Sequence, residues 1–175
     1  AGINEYIKRV VVRLSQEGFV ALAVDLFSRE GKNPDVSSPA KIAEALANLP
    51  DPRAVSDVLA AVQYLQTRAD VNPEGIGALG FCVGGTYAFF AACESRAVKA
   101  AVDFYGLPKY TETSPNKPRS PIERVPELKA PLLCHFGEND RLISAQDIAD
   151  WQEALKKHQK VYELYTYPGA PHAFH

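Results

Sequence analysis

Between positions 75 and 92 the sequence passes from the apolar run Gly75-Ile76-Gly77-Ala78-Leu79, through Gly80-Phe81-Cys82-Val83-Gly84-Gly85, into the helix-forming stretch Thr86-Tyr87-Ala88-Phe89-Phe90-Ala91-Ala92. A strand that reverses into a helix over so few residues leaves no room for side chains at the crossing, which is why Gly80 and Gly84 are expected to flank the turn. The apex residue, Cys82, is expected in a strained backbone conformation with its side chain exposed. The helix that follows points its free N–H groups and the positive end of its dipole at that side chain, favouring thiolate over thiol. Cys82 is therefore a candidate nucleophile. A G-x-C-x-G pattern also suits a buried cysteine in a tight strand-to-helix turn, so the rest of the chain has to choose between the two.

Two downstream segments bear on that choice. Pro131-Leu132-Leu133-Cys134-His135-Phe136 reads as a strand ending in the polar turn Gly137-Glu138-Asn139-Asp140. Residues 161–167 read as another, ending in Pro168-Gly169-Ala170-Pro171-His172. Nucleophile, acid and histidine thus appear in the chain order of an α/β-hydrolase triad, each just after a strand. Loops at the carboxyl ends of parallel strands open on one face, so residues far apart in sequence can converge there.

The remaining segments fit the same architecture. Residues 3–16 carry apolar side chains at Ile3, Tyr6, Ile7, Val10, Val11 and Leu14, the spacing of an amphipathic helix ended by Gly18. Residues 19–27 form a nearly continuous apolar run, as expected of a strand buried on both faces of a parallel sheet. Residues 40–49 read as a short helix, and Asp51-Pro52 as the N-cap and first-position proline of a helix reaching about Arg68. Residues 98–105 read as a strand, and 106–126 as a long proline-bearing loop. Ser144-Ala145-Gln146-Asp147 has the pattern of a capping box. The reading is an α/β fold, a mostly parallel sheet flanked by helices, in one domain over residues 1–175.

Composition removes several function classes. With 175 residues and 46% hydrophobic content the chain can enclose one sizeable core. A net charge of −2 gives no basic surface for a nucleic-acid partner. Cys82, Cys93 and Cys134 form neither a metal spacing nor a disulfide framework, which fits a reducing, cytoplasmic setting. No apolar run approaches the roughly 18 residues of a membrane span, and no signal peptide is recognisable. Ala1 reads as an internal residue of a longer protein.

The elbow Gly80-Phe81-Cys82-Val83-Gly84-Gly85, the Gly137-Glu138-Asn139-Asp140 turn, the end Pro168-Gly169-Ala170-Pro171-His172-Ala173-Phe174 and the early Asp25-Leu26-Phe27-Ser28-Arg29 together resemble the dienelactone hydrolase family of α/β-hydrolases. The resemblance covers nearly the whole chain. It implies Cys82 as nucleophile, His172 as base and Asp140 as the residue orienting the imidazole. It also implies the Val83 N–H as one oxyanion donor and Arg29 as a binder of substrate carboxylate. The implied substrate is a small enol lactone or related carboxylic ester, as in the breakdown of chlorinated aromatics, cleaved through a thioester with neither metal nor organic cofactor. The family also has a glutamate near the resting cysteine, a second oxyanion donor and a strand at positions that fall ahead of Ala1, and a second arginine one position past His175. The N-terminal strands are therefore expected to be missing, with a slot roughly 9 to 10 Å wide, two strand spacings, between the run at 19–27 and the strand leading to Cys82.

Other residues have plainer readings. Cys93 and Cys134 are expected as buried apolar positions, His135 as a structural histidine, and His158 as solvated. Asp103, near a strand end, rivals Asp140 for the acid role. A second class of function is a non-catalytic or redox-sensing relative of the fold, because an exposed thiol beside a histidine is also prone to oxidation.

Overall fold

The computed structural model describes residues 2–31 and 33–175. Four parallel strands form one sheet in the order β1 (Gly77–Phe81), β2 (Ala100–Phe104), β3 (Leu132–Gly137) and β4 (Tyr162–Tyr167). Five helices accompany them: α1 (Glu5–Gln16), α2 (Pro39–Ala47), α3 (Asp51–Thr67), α4 (Val83–Glu94) and α5 (Ala145–Lys157). A seven-residue 3₁₀ segment, Pro121–Glu127, closes the long loop after β2.

The helix starts follow from capping chemistry. Asn4 and Ser38 accept from backbone N–H groups of the first turns of α1 and α2. Ser144 and Asp147 form the expected reciprocal capping box of α5. One expectation fails here: Asp51 is the first residue of α3 and not its cap, a place taken by Pro50. The Asp51 carboxylate is instead drawn into the protein by Tyr87, Tyr110 and Lys117.

Helix α4 is the centre of the molecule. Its residues from Gly85 to Cys93 are all buried, because α4 lies between the sheet and α3 and is apolar all round. Tyr87, Phe89, Phe90, Phe136, Leu132, Trp151 and Leu155 are each at most 2% exposed, and the Phe89 and Trp151 rings meet edge to face at 4.8 Å. Each such ring or branched side chain contributes about 1.5–3 kcal/mol by leaving water. The alternation along the strands divides the sheet into two faces. Gly80, Ala101, Asp103, Leu132, Cys134 and Phe136 are buried, while Leu79 and Tyr165 on the other face are 41% and 48% exposed.

The run at 19–27 departs from expectation. Residues 19–25 pair with no strand among the described residues, and Phe19, Val20 and Leu22 are 62%, 42% and 44% exposed. Only Phe27 at its end is buried. An apolar run becomes a strand only where a neighbour offers ladder hydrogen bonds, and none does here. No backbone hydrogen bond joins the run to β1 among the described residues, and β1 forms one edge of the four-stranded sheet.

Candidate active site

All four strands end at one edge of the sheet, and each delivers a site residue within a few positions of its end. Cys82 follows β1 immediately, with φ 54° and ψ −127°, in a region costly for any residue but glycine. The strain is held by its neighbours. The Cys82 N–H donates to the Phe104 carbonyl at 2.9 Å, and the Cys82 carbonyl accepts from Gly85 at 2.8 Å. Gly80 is required by close approach, since a Cβ there would lie 1.9 Å from the Gly84 carbonyl oxygen. Gly84 is not crowded: a Cβ there would meet nothing within 4 Å. The second crowded position is Gly85, whose Cβ would fall 2.0 Å from Oδ1 of Asp103. Val83 is the first residue of α4, so its N–H is among the first-turn donors that no helical carbonyl satisfies.

The acid and the histidine are brought together by backbone contacts between their two loops. Asn139 N–H donates to the Ala170 carbonyl at 2.9 Å, and Glu138 N–H to the Tyr167 carbonyl at 3.1 Å. The loops touch so closely that a Cβ at Gly137 would lie 2.3 Å from the Ala170 oxygen. His172 Nδ1 then meets Oδ2 of Asp140 at 2.7 Å. The other carboxylate oxygen, Oδ1, accepts from the Leu142 and Ile143 N–H groups at 2.8 and 3.3 Å, which leaves Oδ2 aimed at the imidazole. The Asp140 side chain is fully buried, so this bond is well shielded from water.

The far nitrogen of His172, Nε2, is buried and has no hydrogen-bond partner among the described residues. Burial pulls the His172 pKa down, but the Cys82 sulfur and the Asp140 carboxylate, both favouring the imidazolium, push it up to about 9. The imidazole also packs against the Tyr105 ring, with centroids 5.0 Å apart and planes tilted at 60°.

The other sequence candidates lie as follows. Asp103 is not at the imidazole: it is buried at 3% exposure beneath the elbow, accepts from Gly106 N–H at 2.7 Å, and is pushed up to about 7 by burial against that bond. Arg29 sits in the 3₁₀ turn Ser28–Glu30 and is paired with Asp57 of α3 through a short contact, with its side chain 57% exposed. His135 Nδ1 bonds the Tyr167 hydroxyl at 2.8 Å, and His158 caps the end of α5 in solvent. Cys93 and Cys134 are buried, and burial raises both thiol pKa values, that of Cys93 to about 12. No cluster of three or more metal-ligating side chains occurs among the described residues, and no described helix is long and apolar enough to cross a membrane. Tyr105 and Gly85 escaped sequence reading. Tyr105 carries no motif, and its one signal is that it follows a strand end.

Successive parallel strands that place an elbow cysteine, an acid and a histidine along one edge, in that chain order, make this protein an α/β-hydrolase. Within that class the chain belongs to the dienelactone hydrolase family, whose sequence profile matches residues 1–175. A Bradyrhizobium protein named a "probable 2-oxo-3-(5-oxofuran-2-ylidene)propanoate lactonase" is 46% identical over 174 residues, covering 99% of this chain and 69% of that protein. A candidate carboxymethylenebutenolidase of Methylorubrum extorquens is 35% identical over 99% of this chain and 60% of its own length. The crystal structure of a candidate dienelactone hydrolase from Klebsiella pneumoniae superposes with a TM-score of 0.89 at 30% identity, over 99% of this chain and 72% of that one. The chain thus spans about two thirds of the length of the relatives it matches.

Proposed function

We propose that this chain carries the catalytic centre of a cysteine-dependent hydrolase acting on an enol lactone or a related carboxylic ester. The observation that carries the reading is His172, bonded to Asp140 at Nδ1 and left with a buried Nε2 that has no hydrogen-bond partner among the described residues, at the same strand ends as the Cys82 elbow. In the reaction the Cys82 sulfur attacks the ester carbonyl, and the thiol proton resides on His172 Nε2. The carbonyl oxygen becomes an oxyanion next to the Val83 N–H. Collapse breaks the acyl–oxygen bond, the enolate departs and takes up the proton held on His172 Nε2, which leaves the imidazole neutral again, and the acyl group stays on Cys82 as a thioester. An enolate leaves far more readily than an amine, so a thiol suffices where an amide would demand stronger leaving-group protonation. Water, deprotonated by His172, then cleaves the thioester and returns the thiol.

The substrate class follows from the chemistry named for the 46% identical relative, a 5-oxofuran-2-ylidene lactone bearing a carboxylate. Such a ring is an enol lactone, and its carboxylate is the group Arg29 would meet after exchanging or sharing Asp57. The test is mass spectrometry of the protein quenched during turnover of an enol lactone. The expected result is an acyl adduct on the peptide containing Cys82, absent from Cys82→Ala. An unmodified Cys82 during full turnover sinks the thioester, and absence of turnover combined with reversible peroxide oxidation at Cys82 favours a redox role. For Arg29→Ala the expected result is a loss of about tenfold or more in kcat/KM for an anionic lactone, with a neutral ester unchanged. Equal effects on both would leave Arg29 to Asp57 alone.

A further inference from the structure

Tyr105 is the first residue after β2 and has φ 46°, a left-handed conformation that is strained for any residue but glycine. It is 2% exposed, so no flexibility excuses the strain. The turn is fixed from three sides. Tyr105 N–H donates to the His135 carbonyl at 2.8 Å. Asp103 Oδ1, two residues earlier, accepts from Gly106 N–H at 2.7 Å, an Asx-type bond that closes the turn over Tyr105. Leu107 N–H donates to Thr86 Oγ1 of the elbow helix at 3.1 Å. The same Asp103 oxygen lies where side chains at Gly85 or Gly106 would be, 2.0 and 2.5 Å from their notional Cβ atoms. Asp103 is thus wedged between the first turn of α4 and the turn that carries Tyr105. The strained residue puts its ring 5.0 Å from that of His172 and 5.3 Å from that of Phe174, a contact separate from the Asp140 bond at Nδ1.

We propose that Tyr105, locked in the left-handed conformation by the Asp103–Gly106 bond, is a positioning residue that fixes the plane of the His172 imidazole so that Nε2 faces Cys82. A single hydrogen bond at Nδ1 leaves the ring free to swing about that bond, and an aromatic ring packed against it restricts this freedom. The role of Tyr105 is carried by its ring, and that of Asp103 by a hydrogen-bond acceptor at Oδ1. The inference rests on the hydrolase reading for its kinetic consequence, but the orientation of His172 can be measured without any substrate.

Four variants test it: Tyr105→Phe, Tyr105→Leu, Asp103→Asn and Asp103→Ala. Two readouts are needed, kcat per alkylatable Cys82 thiol, which discounts misfolded molecules, and the midpoint of the His172 NMR titration. Tyr105→Phe keeps the ring and Asp103→Asn keeps the acceptor, so both are expected to match the parent on both readouts. Tyr105→Leu and Asp103→Ala are expected to lower kcat by about 10- to 10²-fold with KM unchanged, the scale of a misplaced catalytic group. Their His172 midpoint is expected to fall from about 9 toward the ordinary 6.5, as Cys82 and Asp140 lose their alignment with the ring. If Tyr105→Leu leaves both readouts at parent values, or if Tyr105→Leu does not fold and Asp103→Ala leaves them there, the positioning role is wrong. If the parent turns over no lactone or ester, the hydrolase reading fails while the midpoints still decide the role of Tyr105.

Discussion

At Cys82 and Tyr105 the chain holds non-glycine residues at positive φ directly after a strand, and Ala173, next to His172, is a third. Strain of this kind persists only where surrounding bonds over-determine it, and here those bonds come from strand ends and the elbow helix. The strained turn at Cys82 is legible because its glycine spacing marks a tight strand-to-helix reversal, a spacing that a buried turn cysteine would share. That at Tyr105 is not, because left-handed conformations of tyrosine are produced by tertiary bonds that leave no local pattern. The choice between two acids also belongs to this scale. Asp140 bonds His172, whereas Asp103 bonds Gly106. Asp140→Asn is therefore expected to lower kcat by about 10²- to 10⁴-fold through loss of imidazole orientation, and Asp103→Asn to leave it near the parent value. Reversal of those two outcomes in steady-state assays would exchange the acids. The pH behaviour has a definite sign. His172 is raised in the fold from 6.5 to about 9, so its stabilising contribution is complete below about pH 6.5 and disappears as the pH rises through about 9. Cys82→Ser and Asp140→Asn are each expected to lower the NMR midpoint of His172, because each removes a partner of the imidazolium.

At the scale of elements, the sequence pattern locates all five described α-helices and four of the five expected strands, with ends shifted by a few residues, but reads the 3₁₀ segment Pro121–Glu127 as loop. The capping box of α5 was readable because both partners are local, Ser144 and Asp147. The run at 19–27 forms no strand although it is apolar enough for one, because apolar content alone does not say whether a ladder partner lies alongside. The elbow glycines show a finer limit. Gly84 occupies the motif position, but the crowded residue is Gly85, where the obstacle is the carboxyl of Asp103 from another strand. Sequence spacing could not separate two adjacent glycines, and the structure makes them opposites. Gly85→Ala is expected to destabilise by about 1–3 kcal/mol through overpacking against Asp103. Gly84→Ala meets open space inside a helix and is expected to stabilise by up to about 1 kcal/mol. Urea unfolding midpoints of the two variants against the parent check this, and equal effects would refute the assignment of the tight contact.

Across the whole molecule, the loop at 106–120 links the active edge to the helical layer. It leaves β2 at Gly106, beside the triad, and is tied to α3 and α4 by a buried charge cluster that no sequence pattern announced. Lys117 Nζ lies 2.6 Å from Asp51 Oδ1 and 3.0 Å from the Tyr87 hydroxyl, above the Tyr87 and Tyr110 rings. Asp51 also accepts from both tyrosines at 2.9 Å, and its N–H donates to the Asn116 carbonyl at 2.8 Å. The two charged side chains are only 13% and 7% exposed. Burial, then the neighbouring Asp51 charge, push the Tyr87 and Tyr110 hydroxyls upward, so both stay protonated donors to the carboxylate. Such a cluster costs heavily to break from one side, because a buried charge is then left without its partner. Lys117→Met is expected to destabilise by about 3–5 kcal/mol, while Asp51→Asn combined with Lys117→Met should lose much less, since no lone charge remains. The exposed pair Lys8 and Glu5, with side chains 58% and 78% exposed, supplies the control: Lys8→Met should cost at most about 0.5 kcal/mol. Denaturant unfolding of the four proteins measures these differences. A Lys117→Met loss no greater than that of Lys8→Met would show that the cluster does not hold the loop to the helices.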